Sequence, residues 1–133
     1  AISKERFGVD LEPVAGETPE QKRDIIANAE VIFAAAAAGV QVVSKEDKEI
    51  AKNLLIVADV NAVPPPGVDG MDLFMDGVQL PGSKALGVGA LAIGDIKYKT
   101  ESGLFKQMLT SDKPLLLDFR HAYAKAKELT GIA

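Results

Sequence analysis

The sequence predicts an α/β domain in which a mostly parallel sheet is built from strands that alternate with helices. Three short apolar runs, at residues 31–33, 54–59 and 85–93, alternate with segments that carry helix-capping residues or helical periodicity. Strands that alternate with helices in this way usually pair in parallel. The chain has 133 residues, of which 47% are hydrophobic, and this is enough to bury the core of one such domain.

Composition narrows the class of protein. Fifteen basic and nineteen acidic residues give a net charge of −4, and no block of Lys and Arg is present, which argues against sequence-independent nucleic-acid binding. Cysteine is absent, so the chain offers neither a disulfide nor a thiolate metal site. No apolar stretch reaches membrane-spanning length, and the first residues lack a signal-peptide pattern. We therefore expect a cytoplasmic protein without a nucleic-acid or membrane partner.

The first elements are predicted from local patterns. Residues 7–14 alternate apolar and polar side chains, which predicts a half-buried strand. Thr18 is a good helix N-cap, Pro19 suits the first helical position, and Gln21 completes a capping box. The helix that begins there is expected to end near Glu30.

The run at residues 31–33 predicts a short strand, and the five alanines at residues 34–38 follow it directly before Gly39. We interpret the alanines as a tight turn after the strand. Small side chains would let a ligand approach the backbone closely. The alternative is that they form a closely packed layer of the core, and the residues themselves do not decide between the two.

The strand predicted at residues 54–59 follows a helix that begins at Ser44 and is expected to run to about residue 53. Its continuous apolar run indicates a buried parallel strand. The run stops at Asp59 and Asn61, which precede three consecutive prolines. Ligands of open α/β sheets bind at the carboxyl edge of the strands, so these two polar residues lie where a small-molecule site is expected. Asp59 could equally hold a turn by hydrogen bonds.

A hairpin is predicted around Asp76 and Gly77, because two short apolar runs flank this Asp-Gly pair within residues 73–80. Residues 77–84 also have the glycine spacing of a phosphate-binding loop. The order at its end is Ser-Lys, whereas such a loop requires Gly-Lys-Ser or Gly-Lys-Thr. We therefore reject a phosphate-binding loop here.

The last third of the chain is predicted to contain a glycine-spaced strand and two helices. The strand covers residues 85–93, helical spacing appears at residues 104–109, and an amphipathic helix covers about residues 114–130. Gly131 is expected to end that helix.

Two lysines and the single histidine are candidates for chemistry. Lys97 and Lys99 follow the predicted strand, where lysines are usually solvated but could orient a substrate. His121 has no cysteine or serine partner pattern, so a surface histidine is expected rather than a triad or metal ligand.

Three strings of residues resemble a known family. They lie at residues 31–39, 56–65 and 89–99, and two of them read Val-Ala-Asp-x-Asn-Ala-x-Pro-Pro and Gly-Ala-Leu-x-Ile-Gly-x-x-Lys. In this order they resemble the methylene-tetrahydromethanopterin dehydrogenases of bacterial one-carbon metabolism, a group that includes enzymes acting on methylene-tetrahydrofolate. The resemblance covers about residues 7–110.

The resemblance implies an incomplete Rossmann-like parallel sheet that comprises strands three to six, with a C-terminal amphipathic helix. Strands three to six would be residues 7–14, 31–34, 54–59 and 85–93. In the order 3-2-1-4-5-6, strands one and two lie between three and four, so the first strand here could not pair with the others. We therefore expect that this chain requires a missing N-terminal part and is neither a stable folding unit nor active alone.

The family's activity would be hydride transfer from a methylene-tetrahydropterin to NADP or NAD, which gives the methenyl-pterin. The resemblance implies that Ala34, Ala35, Ala36 and Asn61 bind the cofactor and that Lys97 lies at the reaction centre as the catalytic residue. Alignment of the two reactants would supply much of the catalysis.

The resemblance also implies a division of the chain and a set of partners. Residues 1–110 would be the C-terminal portion of a dinucleotide-binding domain, and residues 111–133 a helix that packs on the missing pterin-binding domain. The expected partners are methylene-tetrahydromethanopterin or methylene-tetrahydrofolate, the N-terminal part of the same protein, and further copies in a homo-oligomer. The alternative function is a non-catalytic Rossmann-like module that binds a cofactor or is purely structural.

Overall fold

A computed structural model describes residues 2–132 as five helices and four strands. In chain order these are α1 (Ile2–Phe7), α2 (Pro19–Ala27), β1 (Val31–Ala34), α3 (Lys45–Ile50), β2 (Ile56–Asp59), β3 (Asp76–Gln79), β4 (Leu86–Val88), α4 (Ala90–Leu109) and α5 (Phe119–Thr130).

The four strands form one sheet in the order β1-β2-β4-β3. The strands β1, β2 and β4 are parallel, and β3 pairs with β4 in the antiparallel direction. Val31 lies opposite Ile56, which in turn lies opposite Leu86. This order is the one expected for strands four, five and six of a doubly wound sheet. The predicted mixed α/β class with a mostly parallel sheet and a C-terminal helix is confirmed.

The strand predicted at residues 7–14 is wrong. Residues 2–7 form α1, and residues 8–17 form neither helix nor strand and are exposed throughout. The alternation of apolar and polar residues stabilises a strand only when a neighbouring strand and a core lie beside it. Among the described residues, no strand pairs with this segment.

Two capping boxes fix the starts of the helices that precede β1 and β2. The Thr18 hydroxyl accepts from the Gln21 N–H at 3.3 Å, and the Gln21 side chain accepts from the Thr18 N–H at 3.2 Å. Ser44 and Asp47 repeat this arrangement at the start of α3. Both predicted starts are confirmed. The helix after Ser44 ends at Ile50, earlier than expected.

The core lies on one face of the sheet, which we call the inner face, and it includes Ile26 of α2 and Ala51, the C-cap of α3. Its buried apolar residues are Ile26, Ala34, Val43, Ala51, Leu54, Val57, Val68, Met71, Leu80 and Ala85. The opposite, outer face carries apolar side chains that are partly exposed, among them the row Val31, Ile56 and Leu86. The sheet is therefore well covered on only one side within the described residues.

Ion pairs tie the inner layer together. Lys22 of α2 contacts the buried carboxylate of Asp47 at 2.8 Å. The buried ammonium of Lys48 contacts the Asp69 carboxylate at 2.8 Å and donates to the carbonyls of Asp69 and Pro81. Because three acceptors surround Lys48, this residue holds α3 against both the loop before β3 and the turn after it.

The hairpin forms, but its turn does not lie at Asp76 and Gly77. These residues begin β3, and Gly77 has φ +68° where the register with β4 shifts. The turn lies between Leu80 and Ala85, where the Leu80 N–H donates to the Ala85 carbonyl at 2.9 Å. Gly82, with φ +74°, supplies the left-handed conformation that this turn requires.

The predicted strand at residues 85–93 is also too long. The strand β4 ends at Val88, and Gly89 is the N-cap of the 20-residue helix α4. Lys97 and Lys99 therefore lie on a helix and not on an extended segment. Alanine and leucine after Gly89 favour helix, and this preference outweighs the glycine spacing that indicated a strand.

The C-terminal helix α5 packs against α4. It begins at Phe119 rather than near residue 114, because Asp118 is its N-cap. Gly131, with φ +68°, ends it as predicted. No helix within residues 2–132 is both long enough and apolar enough to cross a bilayer. The predicted packing of this helix on a pterin-binding domain stays a prediction.

Candidate functional site at the carboxyl edge

The ends of β1 and β2 lie side by side at one edge of the sheet. Ala34 and Asp59 are register partners, and the loops that follow them are adjacent. We call residues 35–39 and 60–67 the carboxyl-edge loops. This is the edge at which open α/β sheets bind ligands.

Asp59 holds the second of these loops at both ends. Its side chain is buried, and its two carboxylate oxygens accept from the Asn61 N–H at 2.9 Å and from the Val68 N–H at 3.0 Å. Gly67 lies so close that an added Cβ would stand 2.8 Å from the carboxylate. The structure thus supports the interpretation of Asp59 as a residue that holds a turn.

Asn61 joins the two carboxyl-edge loops to each other. Its side-chain oxygen accepts from the Gly39 N–H at 3.4 Å and from the Val63 N–H at 3.0 Å. Its side-chain nitrogen donates to the Pro65 carbonyl at 3.1 Å. The amide group of Asn61 is therefore engaged mainly with backbone, and its clearest role is to fix the loop after β1 relative to the loop after β2.

The alanines after β1 present a small, partly open surface. Ala34 is buried in the core, Ala35 is exposed, and Ala36 is half-buried. The core-layer interpretation is confirmed for Ala34, whereas contact of the exposed Ala35 with a ligand stays a prediction. A backbone with such short side chains at this edge fits the close approach that a dinucleotide needs.

Lys97 lies apart from these residues, on the first half of α4. Its side chain is 73% exposed and its contact with Glu101 is long, at 3.9 Å. Lys99 instead pairs with Asp95 at 2.6 Å. Two residues along a helix are about 200° apart, so the two lysines point in different directions.

A groove of about 640 Å³ lies between α4, α5 and the end of the β3–β4 hairpin, and Lys97 lines it. Its other lining residues are Asp76, Val88, Ala92, Ile93, Ile96, Thr100, Glu101, Ala122, Tyr123 and Ala126. We call it the α4–α5 groove. It is not lined by Ala34, Ala35, Ala36 or Asn61. The structure thus places four of the five predicted site residues at the carboxyl edge of the sheet and places Lys97 in the separate α4–α5 groove.

Thr100 is a groove residue that the sequence did not single out. It is 6% exposed, and its hydroxyl has no hydrogen-bond partner among the described residues. Its burial arises in the folded structure, and no local pattern in the sequence marks it.

His121 has a structural role near the surface. It lies at the third position of α5, where its Nδ1 is 2.8 Å from the carboxylate of the N-cap residue Asp118. The Arg120 guanidinium, with a further contribution from the hydrogen bond between Asp118 and His121, holds the pKa of Asp118 well below its usual range, against the opposing effect of desolvation. The predicted surface histidine is about half exposed, as expected.

Residues 2–132 contain no cluster of three or more His, Cys, Asp and Glu side chains that could hold a metal ion.

Comparison with known proteins gives strong similarity to one curated enzyme. The chain is 48% identical over 128 residues to the NAD(P)-dependent methylenetetrahydromethanopterin dehydrogenase of Methylorubrum extorquens. It is 28% identical over 124 residues to the bifunctional protein MdtA of the same organism. No family model matches the chain.

The two alignments differ in how much of each protein they cover. They include 96% and 93% of this chain, but 43% and 42% of the two relatives. The chain thus spans less than half the length of the curated relatives it matches. The resemblance that the three sequence strings indicate is confirmed over nearly the whole chain.

Proposed function

We propose that this chain is part of an NAD(P)-dependent oxidoreductase that transfers a hydride from a methylene-tetrahydropterin to NAD(P)⁺. The observation that carries this proposal is the 48% identity over 96% of the chain to a dehydrogenase whose name states both cofactor and substrate. The parallel sheet, with its loops joined at the carboxyl edge, supports it because this edge is where such folds bind nucleotides.

The cofactor would lie against the carboxyl-edge loops. Ala35 and Ala36 offer short side chains and exposed backbone beside the end of β1. Asn61 would face the nicotinamide end of the cofactor, and its side chain would also hold the loop at Gly39 in place. Bound there, NAD(P)⁺ would supply the acceptor for a hydride that leaves the methylene carbon with its electron pair.

Lys97 would orient the pterin near the reacting carbon. Loss of a hydride leaves a positive charge on the pterin, so an ammonium group does not stabilise that charge directly. A hydrogen bond from Lys97 to a ring carbonyl or nitrogen is a better role for this side chain. Its large exposure and long contact with Glu101 leave the ammonium available for such a bond.

The cofactor site can be tested with Ala35→Leu in the full-length protein. The larger side chain would fill the space beside β1, and we expect the Kd for NADP⁺, measured by calorimetry, to rise by about tenfold or more. Ala124→Leu is the matched control, since Ala124 is exposed on α5 and far along the chain from this edge. Unchanged NADP⁺ and NAD⁺ affinity in Ala35→Leu would exclude the proposed cofactor site.

The role of Lys97 can be tested with a pair of lysine variants. Lys97→Met keeps the aliphatic stem and removes the hydrogen-bond donors, so we expect kcat/KM to fall about 10- to 100-fold, the equivalent of roughly 1.5–3 kcal/mol. Lys99→Met removes a lysine that pairs with Asp95 and should change kcat/KM less than about twofold. If Lys99→Met has the larger effect, Lys97 is not the catalytic residue.

The predicted homo-oligomer and cytoplasmic location belong to this proposal as well. Turnover of a methylene-pterin by the full-length wild-type protein would distinguish the proposed oxidoreductase from the alternative of a non-catalytic binding or structural module. Cofactor binding without any turnover of a methylene-pterin would favour that alternative.

A further inference from the structure

The α4–α5 groove contains a buried polar group that the protein itself does not satisfy. Thr100 is 6% exposed, and its hydroxyl lacks any hydrogen-bond partner within residues 2–132. Buried polar groups in folded proteins almost always have partners. The unpartnered hydroxyl therefore needs an explanation, and one explanation is a ligand that forms the missing hydrogen bond.

Two other threonines in the same helical pair show what is unusual about Thr100. Thr110 donates from its hydroxyl to the Lys106 carbonyl at 3.0 Å, and Thr130 donates to the Ala126 carbonyl at 2.9 Å. Both use the carbonyl four residues earlier, which is the ordinary partner of a helical threonine. Thr100 does not make this bond although it lies in the middle of α4. Its side chain is instead at the α4–α5 groove.

The groove has the size and lining of a site for a small ring compound. Its volume of about 640 Å³ lies within the range of ligand sites, and aliphatic side chains from both helices form most of its walls. Polar groups are few. They include the carboxylates of Asp76 and Glu101 and the ammonium of Lys97. Lys97 precedes Thr100 by three residues, so both lie on the same side of α4.

We propose that the α4–α5 groove holds the pterin ring of the substrate and that the Thr100 hydroxyl hydrogen-bonds to it. This inference rests on the proposed function. A pterin is a flat heterocycle whose faces suit aliphatic walls and whose edge carries amide and amino groups. The hydroxyl of Thr100 can bond to that edge, and the carboxylates of Asp76 and Glu101 can accept from its N–H groups.

The position of the groove is compatible with the reaction. Val88 lines it and is the last residue of β4, which lies next to β2 in the sheet. The groove and the carboxyl-edge loops thus begin at the ends of two adjacent parallel strands. A rotation of Thr100 about χ1 by about 120° moves the hydroxyl to the position of another Cβ substituent, which gives it a route from its buried position to the ligand.

The test compares three threonine variants of the full-length protein. Thr100→Val replaces the hydroxyl with a methyl group of similar size, and we expect the Kd for tetrahydromethanopterin and the KM for its methylene form to rise about 5- to 10-fold. Thr100→Ser restores the hydroxyl and should return both to within about twofold of wild type. Thr110→Val, at the end of the same helix, should leave both unchanged.

Two further readouts separate a ligand contact from a structural role. Removal of an unsatisfied hydroxyl should leave the Tm of Thr100→Val equal to or higher than that of wild type. The Kd for NADP⁺ should stay within about twofold of wild type. Ala126→Phe fills the groove from α5 without changing Thr100 and should weaken pterin binding by itself.

Several outcomes would overturn the inference. If wild type turns over the pterin but neither Thr100→Val nor Ala126→Phe changes its Kd or KM, the groove does not hold the pterin, while the proposed function stands. A rise in the NADP⁺ Kd equal to that of the pterin would show that Thr100 acts on the whole structure. If wild type neither binds nor oxidises the pterin, the proposed function and the inference both fail.

Discussion

The two faces of the sheet differ in how completely they are covered. On the inner face, Val57 is fully buried in a core that includes Ile26 of α2 and Ala51, the C-cap of α3. On the outer face, its neighbour Ile56 is 40% exposed, and Val31 and Leu86 beside it in the sheet are similarly exposed. The continuous apolar run at residues 54–57 indicated a strand buried on both sides, and the described residues supply cover for one. Side chains of similar character should therefore contribute very different amounts to stability.

The largest expected effect comes from two leucines on either side of the hairpin turn. Leu80 is fully buried in the core, whereas Leu86 is 42% exposed on the outer face. Leu80→Ala should lower the free energy of unfolding by about 2–5 kcal/mol, because it removes buried carbon and leaves a cavity. Leu86→Ala should cost less than about 1 kcal/mol.

Urea denaturation of both leucine variants, in the same background, measures this contrast. In the full-length protein, an equal loss for the two variants would mean that the outer face is covered by residues outside this chain. A small loss for Leu80→Ala would instead show that the core described for the inner face is wrong.

Two glycines of α4 give a second contrast, because Gly89, its N-cap, is tightly surrounded and Gly94, in its interior, is not. An added Cβ at Gly89 would collide with the backbone carbonyl oxygens of Asp72 and Leu73, the latter at 2.6 Å. Gly89→Ala should therefore destabilise the protein by about 1–3 kcal/mol, since backbone cannot move aside cheaply.

Gly94 is the matched position on the same helix. An added Cβ there would meet nothing within 4 Å. Gly94→Ala should raise the free energy of unfolding by about 0.5–1 kcal/mol, because alanine favours helix. Thermal melts of both glycine variants would test this, and a stable Gly89→Ala protein would contradict the close approach at the start of α4.

The smallest expected effect is a loss of stability in acid, through the buried carboxylate of Asp47 in the inner layer. Burial by itself raises the pKa of Asp47, but hydrogen bonds from Lys22 and Ser44 outweigh it and lower the pKa below its ordinary value of 3.8. A lowered pKa in the folded state means that the stabilisation is present above the ordinary value and is lost as the pH falls through the folded value.

The Tm advantage of wild type over Asp47→Asn should therefore be constant from about pH 7 to about pH 5 and shrink below about pH 4. Lys22→Met removes the side chain that most strongly lowers the pKa of Asp47, so the acid-dependent loss of stability should be smaller in that variant. A wild-type advantage that grows as the pH falls would contradict the direction of the pKa shift.

Local sequence patterns predicted much of the fold, and the failures have physical causes. The Thr18 capping box and the Gly131 helix end were predictable because each depends on a few neighbouring residues. The turn at Asp76 and Gly77 and the long strand after residue 85 were wrong because strand pairing and the Gly89 cap decide these boundaries. Residues 7–14 carry a strand pattern, but no strand within residues 2–132 pairs with them.

The candidate site was predictable only for residues that lie at or directly after the end of a predicted strand. The edge at Asp59 and Asn61 follows from the apolar run that ends there, and the structure brings it beside the alanines after β1. The side-chain bonds of Asn61 and the burial of Thr100 depend on contacts between segments distant in the chain. The assignment of the cofactor and of Lys97 derives from the resemblance and stays a prediction.

Hydride transfer between a methylene-pterin and NAD(P)⁺ is tested most directly with an isotope label. The full-length protein would be given tetrahydromethanopterin carrying a dideuterated methylene group, together with NADP⁺ or NAD⁺, and the reduced cofactor would be analysed by mass spectrometry. We expect the reduced cofactor to form and to carry one deuterium for each methenyl-pterin produced. Reduced cofactor without deuterium, or no reduced cofactor at all, would contradict this expectation.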